Sequence, residues 1–285
     1  MDTELTRHAV SIGVNVLFRT DATLGELLPD GRQVKLIRDG AALSVSAQAV
    51  MAASGLASNL FRNEPDFQTR ISRKSKIGVN AILSQANRGN HAEDTWRDHV
   101  IYMVCGKSGY VGMVRLEDGT LDVAGALDPQ LVKDRGDVAS SVAWLLSQAD
   151  LELPGLHDAE WKGTAPLTRR TKCVATRRLF VIGDSAGYVE PFTGEGMAWA
   201  LMSGHAVAPI AAASAREWND KYIEQWNREY RRCLRSRQRT CRWIAKLLRR
   251  PILVGTAIKA LSKFPSLATP MIQRIQGTAP AEIHA

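Results

Sequence analysis

Apolar positions along the chain follow two periods, and the changes between them set its elements. Residues 3–12 carry a helical spacing that stops at Gly13, a residue suited to ending a helix. Residues 14–18 read as a strand. Three short alternating runs follow at 23–28, 33–38 and 42–45, separated by Pro29-Asp30-Gly31 and Asp39-Gly40. Turn residues at that spacing predict a small antiparallel meander. An apolar strand at 49–53 then runs into Ser54-Gly55. From 73 to 127 the pattern alternates in four segments, 76–83, 98–105, 109–116 and 121–126. Glu117-Asp118-Gly119 joins the last two, so a curved antiparallel sheet is expected. Asp134 or Asp137 starts a helix reaching Ala149, with Val138, Val142, Leu145 and Leu146 on one face. Residues 161–170 return the chain to the sheet, and the chain after His205 is helical.

The stretch 178–205 combines both periods. Leu179-Phe180-Val181-Ile182 is wholly apolar, which suits a strand covered on both faces of a parallel sheet. It stops at Gly183-Asp184, where the glycine permits a tight turn and the carboxylate sits at the carboxyl end of the strand. Such a carboxylate accepts hydrogen bonds from polyol or ribose hydroxyls. Gly194 and Gly196 remove side chains just before a helix at 197–208, leaving backbone N–H groups bare at its positive end. A strand, turn and helix packed for their own sake, with Asp184 merely starting a turn, would produce the same local pattern.

The whole string is more specific than its parts. Gly183-Asp184-Ser185-Ala186-Gly187, Pro191, Gly194-Glu195-Gly196-Met197, and Ala200 with Gly204 resemble the motif GDAAGxxxPxxGxGxxxAxxxG. That motif belongs to flavoprotein monooxygenases, geranylgeranyl-reductase-like enzymes and flavin-dependent halogenases. The resemblance implies that Asp184 binds the FAD ribityl hydroxyls and that the helix start at Gly194, Glu195, Gly196 and Met197 faces the pyrimidine edge of the flavin. Pro191 would lie beside the reactive ring carbon. The order of elements before residue 62 looks like the later part of the same FAD domain, with Ser54 and Gly55 at its cofactor-side turn. Aromatic hydroxylases carry Asp-Gly there; Ala53-Ser54-Gly55 is closer to the reductase and halogenase branches, whose usual preceding acid is Ala52 here. This departure counts against direct handling of NADPH at the turn, and a Gly55 that only ends a strand fits the same residues.

The implied fold class is mixed α/β (α+β), a Rossmann-like FAD/NAD(P)-binding domain with further parts. Residues 1–62 form the later FAD-domain segment, 63–170 an antiparallel-sheet substrate domain roofing the flavin, 171–213 the motif strand and helix, and 214–285 a basic helical region. Tyr102, Tyr110 and Met113 are candidates for the substrate wall or for plain core. A GxGxxG turn for the ADP half is absent from the sequence. The match begins partway through the family pattern, which implies a first βαβ unit encoded ahead of Met1.

Composition narrows the setting. With 45% hydrophobic and 23% charged residues, the 285-residue chain resembles an ordinary globular protein. Cys105, Cys173, Cys233 and Cys241 show neither CxxC pairs nor a metal-ligand rhythm, so reduced thiols and a cytoplasmic location are expected, without a metal site. No uninterrupted apolar run reaches the ~18 residues of a spanning helix. The net charge of +8 arises wholly between Arg216 and Arg250, where 12 basic residues face 4 acidic ones. Trp218, Tyr222, Trp226 and Tyr230 recur every fourth residue there, as core packing does. The remaining faces carry arginines, which read as a solvated surface or as a peripheral contact of residues 216–250 with an anionic membrane. Nucleic acid lacks a supporting fold signature.

The function expected is therefore an FAD-dependent oxidoreductase acting on an apolar, polyketide- or isoprenoid-like small molecule, with NAD(P)H as the reductant the resemblance allows. The reductase-like branch is preferred, and a halogenase-like enzyme is the alternative within the class. The rival reading is a truncated, non-catalytic chain whose basic helices bind membrane or a partner. No residue, His205 included, is assigned a catalytic role.

Overall fold

The computed structural model describes residues 1–56, 60, 64, 67, 69–84, 96–190, 192, 194–248 and 250–270. Helix α1 (Asp2–Ser11) ends at Ile12, and Gly13 follows with φ +93°. The meander forms as β1 (Thr20–Leu27), β2 (Arg32–Arg38) and β3 (Ala41–Ala47), an antiparallel sheet in that order. Next come β4 (Val50–Ala52), β5 (Thr69–Ile71), β6 (Ile77–Leu83), β7 (Ile101–Gly106), β8 (Gly109–Arg115) and β9 (Leu121–Leu127). Two helices, α2 (Pro129–Arg135) and α3 (Val138–Ser147), precede β10 (Lys162–Pro166), β11 (Arg169–Thr171), β12 (Ala175–Thr176) and β13 (Leu179–Val181). A 3-10 turn, Gly183–Ala186, and β14 (Gly187–Tyr188) lead to α4 (Gly196–Arg216). Helix α5 (Lys221–Tyr230), a π-helical turn at Arg231–Arg235, α6 (Ser236–Leu248), α7 (Pro251–Lys263) and a 3-10 turn, Pro265–Ala268, follow.

One expectation needs correction and one alternative is decided. Residues 14–17 form no strand, and Val14, Leu17 and Phe18 are exposed. Their composition suits a strand, yet among the described residues no strand runs alongside to take their backbone hydrogen bonds. The helix expected from Asp134 or Asp137 starts at the latter, whose carboxylate accepts the Ser140 N–H at 2.6 Å. The preceding residues form the separate helix α2, capped by Asp128 and ended at Gly136 with φ +93°.

The antiparallel sheet has the order β10-β6-β9-β8-β7. Val142, Leu145 and Leu146 of α3 pack on its Val111, Met113, Leu121 and Val123, all of them buried. Met113 is thus core, as is Tyr102, which meets Trp96 edge to face. A second core surrounds β13, which pairs parallel with β4, Leu179 opposite Val50, and antiparallel with β12. Leu179, Phe180 and Val181 are fully buried against Val207 and Ile210 of α4 and Trp226 of α5. The aromatic stripe is packing, as its period implies. Helix α4 is long and apolar enough to cross a membrane by length and composition; its Ser203, Val207, Ile210, Ala211 and Ser214 are buried, while Met197 and Leu201 are exposed. The four cysteines form no disulfide among the described residues.

Candidate functional site

Three segments distant in sequence meet at the carboxyl end of β13. Parallel pairing puts the end of β4 beside it, so Ser54 and Gly55 reach the 3-10 turn: Ser54 and Ser185 hydroxyls lie 3.4 Å apart, and Ser185 Oγ donates to the Gly55 carbonyl at 3.2 Å. Gly183 turns with φ +56° and donates its N–H to Ser203 Oγ at 2.9 Å, which fastens α4 beneath the turn. A Cβ at Gly183 would already touch Ala200 at 3.6 Å. Arg169 donates to the Leu56 carbonyl and, at 2.8 Å, to the Pro166 carbonyl, tying the Ser54-Gly55 turn to the sheet entry.

Asp184 sits half-buried in this corner, and its carboxylate accepts no hydrogen bond from any described residue. Burial pushes its pKa above the usual aspartate range. Tyr188 is pushed up to about 12, first by burial and then by the Asp184 charge. Its ring approaches the start of α4: a Cβ at Gly196 would meet Tyr188 Cε2 at 3.9 Å and nothing closer. At Gly194, φ +72°, a Cβ would meet nothing within 4 Å. No side chain caps the helix that Glu195 begins, and Met197 is exposed. The corner therefore offers vacant carboxylate acceptors, unsatisfied helix N–H donors and open space over two glycines. A group bearing hydroxyls and an electron-rich edge fits that donor set. Pro191 lies outside the described residues.

The sequence named Tyr110 only as a candidate for the substrate wall or for plain core, and gave no sign of the ion pair beside it. Lys76 and Glu190 form a buried ion pair at 2.8 Å, and Lys76 Nζ lies 5.6 Å over the Tyr110 ring. Tyr110 meets Phe192 edge to face at 5.2 Å, and its hydroxyl is buried with no partner among the described residues. Burial first, and the Glu190 charge second, push that hydroxyl far above the usual tyrosine value. Glu190 precedes Pro191 in the motif loop and was in view; Lys76, 114 residues away, had no local signal. The stripe also carries polar tips: Trp226 Nε1 donates to Val181 O at 3.1 Å, and Tyr230 Oη to Ala186 O at 3.1 Å. Among the described residues no cluster of His, Cys, Asp or Glu could hold a metal.

No protein-family model matches the sequence, and no curated protein does. Solved structures do match the fold. A flavin-dependent halogenase, CmlS, has TM-score 0.66 and 19% identity over 84% of this chain and 44% of its own. OxyS anhydrotetracycline hydroxylase from Streptomyces rimosus has TM-score 0.72 and 17% identity, covering 96% of this chain and 55% of its own. A geranylgeranyl bacteriochlorophyll reductase-like protein from Thermoplasma acidophilum has TM-score 0.68 and 16% identity, covering 96% and 74%. The chain shares the mixed α/β fold of these proteins and spans less than two thirds of the length of the first two.

Proposed function

We propose that this chain holds the flavin and ribityl part of FAD at the Asp184 corner and serves an FAD-dependent oxidoreductase of an apolar small molecule. The observation that carries the reading is the half-buried Asp184 carboxylate, which accepts no hydrogen bond from any described residue. The carboxylate would accept the ribityl hydroxyls. The N–H groups from Gly196 onward, with the helix dipole behind them, would favour negative charge developing at the pyrimidine edge. FAD supplies the electron or hydride transfer when bound. Ser54 and Gly55 position Ser185, and the Lys76–Glu190 pair holds the loop entry against β6. Within the sheet of the proposed substrate domain, 63–170, Tyr110 is buried beside Phe192 of the motif loop, and its hydroxyl has no partner among the described residues. The Ala53-Ser54-Gly55 turn and the basic C-terminal helices favour the reductase-like branch, with NAD(P)H as electron source.

Titrating the purified 285-residue chain with FAD and reading flavin fluorescence and visible absorbance tests this reading. Saturable binding that Asp184→Ala weakens supports it; a folded chain that never retains flavin overturns it. A second reading has its own support: Trp243, 73% exposed, and Ile252, 85% exposed, stand near Lys246 and Arg250 in sequence, as in a peripheral contact with anionic lipid at the cytoplasmic face. Sedimentation with phosphatidylserine vesicles tests it, since Trp243→Glu should abolish co-sedimentation. Equal recovery of both proteins with the vesicles would refute it.

A further inference from the structure

A cavity of about 490 Å³ lies between the turn after β5, the segment before β11, the motif loop at Val189 and Glu190, and α6. Arg73 and Lys74 line it from the turn, and Arg242, Lys246 and Arg250 from the helical side. The single acid in its lining, Glu190, already pairs with Lys76 at 2.8 Å. Among the described residues no acid forms a salt bridge with Arg73, Arg242, Lys246 or Arg250. Arg242 is half-buried, and burial followed by the charges of Arg170 and Arg239 pushes its guanidinium below the ordinary value.

The charges of Arg170 and Arg239 act on Arg242, and a partly desolvated guanidinium with no acid paired to it among the described residues is unfavourable. Exposed arginines on a helix avoid both costs by pointing into water; Arg242 instead stays in a concave, walled space. A multiply charged anion would relieve the repulsion and accept bidentate hydrogen bonds from the guanidinium groups. The Ser72 and Thr168 side chains that also line the cavity add neutral donors suited to oxyanions. The volume exceeds one phosphate and accommodates a diphosphate or a phosphate ester with part of its organic substituent.

We infer that this cavity is a binding site for a phosphate or diphosphate group, carried by a soluble phosphate ester or by a phospholipid headgroup. Val189 and Glu190 of the motif loop border the cavity, but Ser54, Asp184 and Gly196 do not line it. Calorimetric titration of the full chain with inorganic pyrophosphate at low salt provides the first arm. Sedimentation with phosphatidylcholine vesicles, with and without phosphatidate, provides the second. Arg242→Ala and Arg73→Ala should each weaken binding by about tenfold, the effect of losing one charge-assisted hydrogen bond. Arg73 is an exposed turn residue, so its variant stays informative if Arg242→Ala fails to fold. Arg228→Ala, an exposed α5 residue outside the lining, should leave binding unchanged. Pyrophosphate binding with this pattern supports the site and a soluble ligand. Phosphatidate-dependent sedimentation with the same pattern, absent for pyrophosphate, supports the site and a lipid headgroup. No binding in either arm overturns the proposal, as does an equal loss in Arg228→Ala, which marks diffuse attraction to a basic surface.

Discussion

Asp184 is half-buried and accepts no hydrogen bond from any described residue, which makes its charged form a cost to the fold. Its pKa is raised by burial, so the folded chain binds its proton more tightly than the unfolded chain does. Stability therefore falls as pH rises through that titration, and the ionised carboxylate near neutrality is a local cost. Asp184→Asn should raise the thermal midpoint of the flavin-free chain near neutral pH; an unchanged or lowered midpoint would refute the burial account. The proposed ligand reverses the preference, because hydroxyl donors stabilise the charged form. Asp184→Ala should weaken flavin binding by about 1.5–3 kcal/mol. Acid should weaken binding by the wild-type chain as the carboxylate protonates, while Asp184→Asn gives a flat pH profile. Parallel profiles for the two proteins would leave Asp184 a turn residue. Gly196 gives a complementary test, since the protein leaves room there for a side chain. Gly196→Val should keep a normal melting curve and lose flavin binding; full flavin retention would mean that nothing docks at this helix start.

The elements were legible in the sequence wherever a local period or a turn residue decided them. The meander, four strands of the five-stranded sheet, α3 and the strand and helix around Gly183 all follow from alternation, caps and glycines. Residues 14–18 failed because strand composition does not supply a neighbour, and a strand without a neighbour leaves its backbone unpaired. The corner was legible through Asp184, Gly194 and Gly196, whereas its supports were not. A contact such as Lys76–Glu190 depends on the topology that brings β6 beside the motif loop. Both charges are buried, so Glu190→Ala should destabilise the protein by about 3–5 kcal/mol in urea unfolding. Lys76→Met combined with Glu190→Leu should recover much of that loss. A double variant no better than the single one would show that the pair does more than neutralise itself. The same logic explains the aromatic stripe, whose period revealed packing but not its hydrogen bonds. Tyr230→Phe, which strips the Ala186 carbonyl of its partner, should cost about 1–3 kcal/mol.

At the scale of the whole molecule, charge and apolar exposure concentrate in different segments of the chain. The charge run from Arg216 to Arg250 was plain in the sequence, but the exposure of the meander was not, since alternation there promised one covered face. Instead Ile37, Leu43 and Val45 are exposed, and β3 is an outer strand of its sheet with nearly every residue accessible. An outer strand with open backbone groups and apolar side chains two residues apart is a template for pairing with another chain. Exposed Val14, Leu17 and Phe18 add apolar area at the same end of the sequence. The isolated chain should therefore self-associate in a concentration-dependent way, and the association should run through β3. Leu43→Lys combined with Val45→Lys places two charges on one face of that strand without touching either buried core. By light scattering the wild-type chain should grow in apparent mass between micromolar and tens of micromolar concentrations, while the double-lysine variant stays monomeric. A wild-type chain that remains monomeric across that range, or a variant that associates equally, would show that β3 is not an adhesive edge.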